Sequence, residues 1–112
     1  MAMTGYRLIY TTWPDPAAAR AAAAALVEAK LCACANILPG MTSVYSWEGA
    51  IETATECVAL FKTSEAAAPA LRDRILALHP YDEPAVLALP VSPEASSADF
   101  LAWISRMTRP GT

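Results

Sequence analysis

The chain holds one histidine and three cysteines, and these are the side chains with the widest chemistry. His79 sits in Leu78-His79-Pro80-Tyr81-Asp82-Glu83-Pro84, at a predicted helix end between two prolines. An imidazole there can bind a metal or move a proton; the plainer role is a helix-terminal charge that complements the dipole. Cys32 and Cys34 are two apart, so in a strand they share a face and could offer thiolates to a soft metal. They could equally be small buried hydrophobes, as could Cys57. An odd number of cysteines argues against a secreted disulfide framework. Near the tip of a long hairpin, Tyr45, Trp47, Glu48 and Glu52 combine aromatics with carboxylates. Such a group makes either a binding surface or a subunit interface, and the interface is the better reading. Lys62 ends an apolar strand and needs a charged partner or water, with Glu83 as the candidate partner.

Other constellations are missing from the sequence. It has no Gly-rich phosphate loop and no Cys-x-x-Cys pair, and with one histidine a complete zinc site within one subunit would need Cys and carboxylates from distant positions. A nucleophile–base pair of Cys34 and His79 has no local signature. The expectation is a protein that is not an enzyme. The turn after the first strand, Thr11-Thr12-Trp13-Pro14-Asp15, lacks the arginine that an acylphosphatase-like site would want.

The elements that must position these residues follow from pattern. Tyr6–Thr12 is a strand by residue type. Asp15 then Pro16 is a helix start, and the alanine-rich helix runs to about Lys30 with Leu26 and Val27 on its apolar face. Residues 32–62 form one long hairpin with its tip at Glu48-Gly49-Ala50. Pro39 should divide the outgoing arm into Ala33–Leu38 and Thr42–Trp47. A second helix opens near Ser64-Glu65 and ends before Pro80, with Pro69 forcing either an irregular first turn or a later start. Pro84–Val91 is a short strand, and about Ser97–Met107 is a last helix with Phe100, Leu101, Ile104 and Met107 on its apolar side.

The order β-α-β-β-α-β-α is the split βαβ, or ferredoxin-like, α+β sandwich with an added C-terminal helix. Such a sheet packs helices on one face. If the other face met water, its strands should alternate polar with apolar residues. They do not: Val58 and Leu60 face opposite to Cys57, Ala59 and Phe61, and Leu8-Ile9-Tyr10 and Val86-Leu87-Ala88-Leu89 behave alike. With no element left to cover the second face, oligomerisation through the sheet is expected. The 112 residues make one domain, 55% hydrophobic and 17% charged, with net charge −3. The absence of a basic cluster argues against nucleic acid. No stretch is long and apolar enough to span a bilayer and no signal peptide is evident, so a cytoplasmic protein is the default.

The residues also resemble the CutA family, the divalent-cation tolerance proteins, over nearly the whole chain. The resemblance rests on Thr12-x-Pro14, then Leu31 followed by Cys34-Ala35-Asn36-Ile37 and Pro39-Gly40. It continues through Ser43-x-Tyr45-x-Trp47-Glu48-Gly49, Glu52, Leu60-x-Lys62-Thr63 and His79-Pro80-Tyr81-x-x-Pro84. It implies a homotrimer similar in build to the PII signalling proteins, with a cleft between subunits where the regions of Cys34 and His79 approach each other. It further implies a role in tolerance of copper or another divalent metal ion, by metal binding at those clefts. Some members carry a cysteine where this chain has Thr11 and a second histidine where it has Leu78. The alternative is a PII-like signalling or scaffold trimer, binding a small anion or a partner protein near Lys62, Tyr81 and Glu83.

Overall fold

The computed structural model describes residues 5–108. Its elements are β1 (Tyr6–Trp13), α1 (Pro16–Glu28), β2 (Cys34–Trp47), β3 (Ala50–Ser64), α2 (Ala68–Leu78), β4 (Val86–Val91) and α3 (Ala98–Met107), with a short 3-10 turn at Pro93–Ala95. The four strands form one sheet in the order β2-β3-β1-β4, every neighbouring pair antiparallel. This is the expected split βαβ sandwich.

Helices α1 and α2 cover one face. The carboxylate of Asp15 accepts from the Ala18 amide and Pro16 takes the first helical position, which starts α1 where the sequence indicates. Small side chains let the helix lie close to the sheet: Ala19, Ala22, Ala23 and Leu26 are buried against Ile9, Trp13, Ala59 and Phe61. Val27, expected on that face, is exposed instead. The helix stops at Glu28, two residues earlier than expected. The Leu31 amide donates to the Leu26 carbonyl and the Lys30 amide to that of Val27, with Lys30 at φ 65. This is a Schellman close, with lysine in the left-handed position that glycine usually takes. Helix α2 starts next to Pro69, which therefore falls in the first turn and breaks no interior hydrogen bond.

The hairpin differs in detail from its expected form. Pro39 does not split the outgoing arm; β2 runs unbroken from Cys34 to Trp47, and the register slips between Leu38 and Met41. Pro39 and Gly40, the latter at φ 75, form a bulge that removes the need for a proline donor. At the tip Glu48 (φ 49) and Gly49 (φ 83) link the paired residues Trp47 and Ala50, a two-residue turn with both central residues left-handed. β1 pairs with β3 only as far as Trp13 opposite Cys57, so the arms beyond that point have each other alone. They extend the molecule to 46 × 28 × 24 Å.

The second sheet face is partly covered from within, which corrects one expectation. Leu101 and Ile104 of α3 pack on Ala33, with Tyr6, Val91, Trp103 and Met107 around them. Phe100 stays largely exposed. Beyond α3 the face is open: Leu38, Leu87 and Leu89 remain exposed on it.

Candidate functional site

Two groups of the expected residues come together, at opposite ends and on opposite faces of the sheet. The first forms where β1 ends, at the root of the hairpin. His79 caps α2, and its amide donates to the Ile75 carbonyl. The residue is 8% exposed, and its ring stacks on Trp13 with centroids 4.1 Å apart. Its Nε2 lies 2.7 Å from the Thr12 carbonyl oxygen, and its Nδ1 accepts from the Tyr81 amide at 3.1 Å. Tyr81 turns back so that its ring lies 4.8 Å from the imidazole and its hydroxyl donates to Glu56 Oε2 at 2.8 Å. Partial burial, and then the hydrogen bond to Glu56, push the Tyr81 phenol up to about 12 from 10.0. The phenol therefore stays a donor to Glu56 at neutral pH.

Glu56 is the member of this group that the sequence reading missed. It opens the apolar run of β3 opposite Met41, at the end of the bulge. A lone carboxylate just before an apolar run was the available signal.

Thr11 stands where some relatives were expected to carry cysteine. It is buried, and its hydroxyl donates to the Ala59 carbonyl at 2.8 Å while accepting from Trp13 Nε1 at 2.6 Å. Both capacities of the hydroxyl are used in holding the tryptophan under His79.

The second group lies on the open face beside α3. Cys34 pairs in register with Lys62. Lys62 Nζ sits 5.3 Å from the Phe100 ring centroid, a cation–π contact. Phe100, and not Glu83, is thus the neighbour of Lys62; among the described residues the ion pairs are Arg7–Glu65 and Arg72–Asp73. An open pocket of about 240 Å³ lies between Lys62, Leu8 and Val91 on the sheet and, on the other side, Ser97, which caps α3, with Phe100 and Ile104 of that helix.

Cys34 is half-buried, whereas Cys32 and Cys57 are fully buried. Burial, and then the neighbouring Cys34, push the Cys32 thiol up to about 12. Burial, and then Asp15, also raise that of Cys57. Neither offers a thiolate near neutral pH, so Cys34 is the accessible thiol.

Within one chain the expected metal pair, His79 and Cys34, does not form. Cys34 sits opposite Lys62, while His79 holds Thr12, which sits opposite Val58. Four residues of strand, about 13 Å, and the thickness of the sheet separate them. Both ring nitrogens of His79 are already engaged. Among the described residues no three of His, Cys, Asp and Glu gather as metal ligands would. The residues of a single subunit therefore do not fit a metal ion. Tyr45, Trp47, Glu48 and Glu52 do lie together along the distal hairpin, all exposed, with Trp47 60% and Ile51 75% accessible. Glu83 lies exposed in the loop after α2, close in sequence to Tyr81.

Comparison with known proteins gives a consistent result. Residues 7–107 match the family described as CutA1 divalent ion tolerance protein. The divalent-cation tolerance protein CutA of Thermus thermophilus is 41% identical over 101 residues, covering 90% of this chain and 96% of that one. Human protein CutA is 38% identical over 88% of this chain, which spans about half (54%) of the human protein's length. Among solved structures, CutA1 from Ehrlichia chaffeensis superposes with a TM-score of 0.89 at 36% identity, covering 96% of this chain and 99% of that one. The Oryza sativa CutA1 structure gives the same TM-score of 0.89 at 37% identity over 94% of each chain. Sequence and fold agree along the whole described length, and the chain belongs to the CutA1 divalent ion tolerance protein family.

Proposed function

We propose that this protein serves divalent-cation tolerance as a homotrimer assembled through the open face of its sheet, and that it binds copper or another divalent metal ion at the clefts between subunits. The observation that carries the assembly is the uncovered row of Leu38, Leu87 and Leu89, continuous with a hairpin that outreaches its own sheet. An apolar surface of this kind on a small chain calls for a partner, and three copies of one chain supply it. Because one chain does not gather a ligand set, the ion's donors must come from more than one subunit. Cys34 is the donor best suited to a soft or borderline ion: an accessible thiol on the face turned toward the partners. Binding, and not catalysis, is the activity we infer. The nucleophile–base pair that the sequence offers, Cys34 and His79, is split between the two faces of the sheet. The unpaired thiols suit a reducing compartment, and we place the protein in the cytoplasm.

The pocket of about 240 Å³ beside Lys62 and Phe100 favours a second reading, a PII-like scaffold trimer that takes a small anion there without metal.

Native mass spectrometry of the reduced protein, before and after one equivalent of copper per chain, tests the first reading. The expected result is a trimer with a discrete copper count, lost in Cys34→Ala. A trimer that gains none, or a smear of counts, would refute copper binding and leave the scaffold.

A further inference from the structure

The expected metal ligand His79 is chemically occupied, and its occupation has a direction. A carbonyl oxygen only accepts, so the 2.7 Å contact with the Thr12 oxygen places the ring proton on Nε2. A backbone amide only donates, so the 3.1 Å contact with the Tyr81 nitrogen requires a bare lone pair on Nδ1. Two independent main-chain partners thus select one tautomer of the neutral ring. Trp13 and Tyr81 flank that ring, which leaves little room for it to turn.

We propose that His79 is a positioning residue and not a metal ligand: a tautomer-locked tie that joins the end of β1 to the loop after α2 and so holds the Tyr81 hydroxyl on Glu56 at the hairpin root. Anything that takes the Nδ1 lone pair, a proton or a metal ion, competes with the Tyr81 amide for it. Losing that bond frees the residue whose hydroxyl grips Glu56. The tie therefore couples the state of one imidazole to the loop and, through Glu56, to β3 where the hairpin leaves the sheet. This holds whether or not the trimer takes up metal elsewhere. The ionisable groups around the stack are Asp15 at the start of α1, Tyr45 on β2, Glu56 and Cys57 on β3, and Tyr81, Asp82 and Glu83 of its own loop.

As the chain's single histidine, His79 produces one set of ring signals, so two-bond proton–nitrogen correlation on the 15N-labelled full chain reads the tautomer directly. The expected spectrum at neutral pH is the Nε2–H form alone. One equivalent of Zn²⁺ per chain, used as a diamagnetic metal probe, should leave the ring nitrogens unmoved. Two variants separate the tie from bulk packing. His79→Phe keeps an aromatic on Trp13 but loses both hydrogen bonds. His79→Asn keeps an acceptor where Nδ1 stood. In His79→Phe the Tyr81 phenol should become more acidic as its hydrogen bond to Glu56 is lost, and His79→Asn should keep most of the elevation. An Nδ1–H or exchanging tautomer, or Zn²⁺ moving the ring nitrogens, would overturn the proposal. So would a Tyr81 phenol that titrates in His79→Phe where it does in the wild type. If His79→Phe does not fold, the wild-type ring spectrum and His79→Asn decide the matter.

Discussion

Replacing Leu87 and Leu89 by aspartate should dissolve the assembly without unfolding the chain. Both lie on β4, opposite Tyr10 and Leu8, and both point away from α1 and α2. They are 61% and 45% exposed, so neither is part of the subunit's own core. Covering a leucine fully is worth about 2 kcal/mol. Burying the exposed fractions of these two therefore contributes about 2 kcal/mol per chain and about 6 kcal/mol per trimer. That alone is about four decades in the assembly constant. A carboxylate at each position adds the cost of desolvating a charge, which increases the effect. Light scattering on a size-exclusion column is the assay. The wild-type chain of 11.9 kDa should run as a particle of about 36 kDa, three times that mass. The Leu87→Asp/Leu89→Asp chain should run as a monomer with an unchanged far-ultraviolet spectrum. A double variant that keeps the wild-type mass at micromolar concentration would refute the sheet-face argument. So would a wild-type chain that is monomeric throughout.

Two further outcomes follow from the buried polar groups. Thr11→Val is nearly isosteric but removes the acceptor of the Trp13 indole N–H and the donor to the Ala59 carbonyl. An unpaired buried donor costs about 1–3 kcal/mol, so the urea midpoint should fall accordingly; an unchanged midpoint would show that the indole finds another partner. Cys32 links stability to alkali. Its thiol is raised from 9.0 to about 12, so the folded chain holds this proton more tightly than the unfolded one. The contribution is complete below pH 9 and is lost as pH rises toward 12, at about 1.4 kcal/mol per unit, or about 4 kcal/mol in all. Urea titrations across that window should show a steeper loss in the wild type than in Cys32→Ala, and parallel curves would contradict the assignment.

The sequence by itself determined the element order, and for local physical reasons. Asp15-Pro16 is a cap and a first-turn proline wherever it occurs, Glu48-Gly49 makes a tight turn, and an alanine run is a helix before it touches anything. It also determined that the sheet would be apolar on both faces, because side-chain alternation is a property of the strand alone. What covers the second face was not readable this way. A helix at the chain's end can pack on either side, and only the structure places Leu101 and Ile104 of α3 on Ala33. Pro39 was read as a break because a proline cannot donate; the ladder absorbed it by a register slip that needs the partner strand to be visible. The partners of charged groups belong to the same class of question. Lys62 and Glu83 look complementary along the chain, yet strand register carries Lys62 toward Phe100. His79 is the clearest case. Its residue type announces metal or proton chemistry, but whether a ring nitrogen is free depends on which main-chain groups face it. The fold brings the Thr12 carbonyl, 67 residues away in sequence, onto one nitrogen and the Tyr81 amide onto the other.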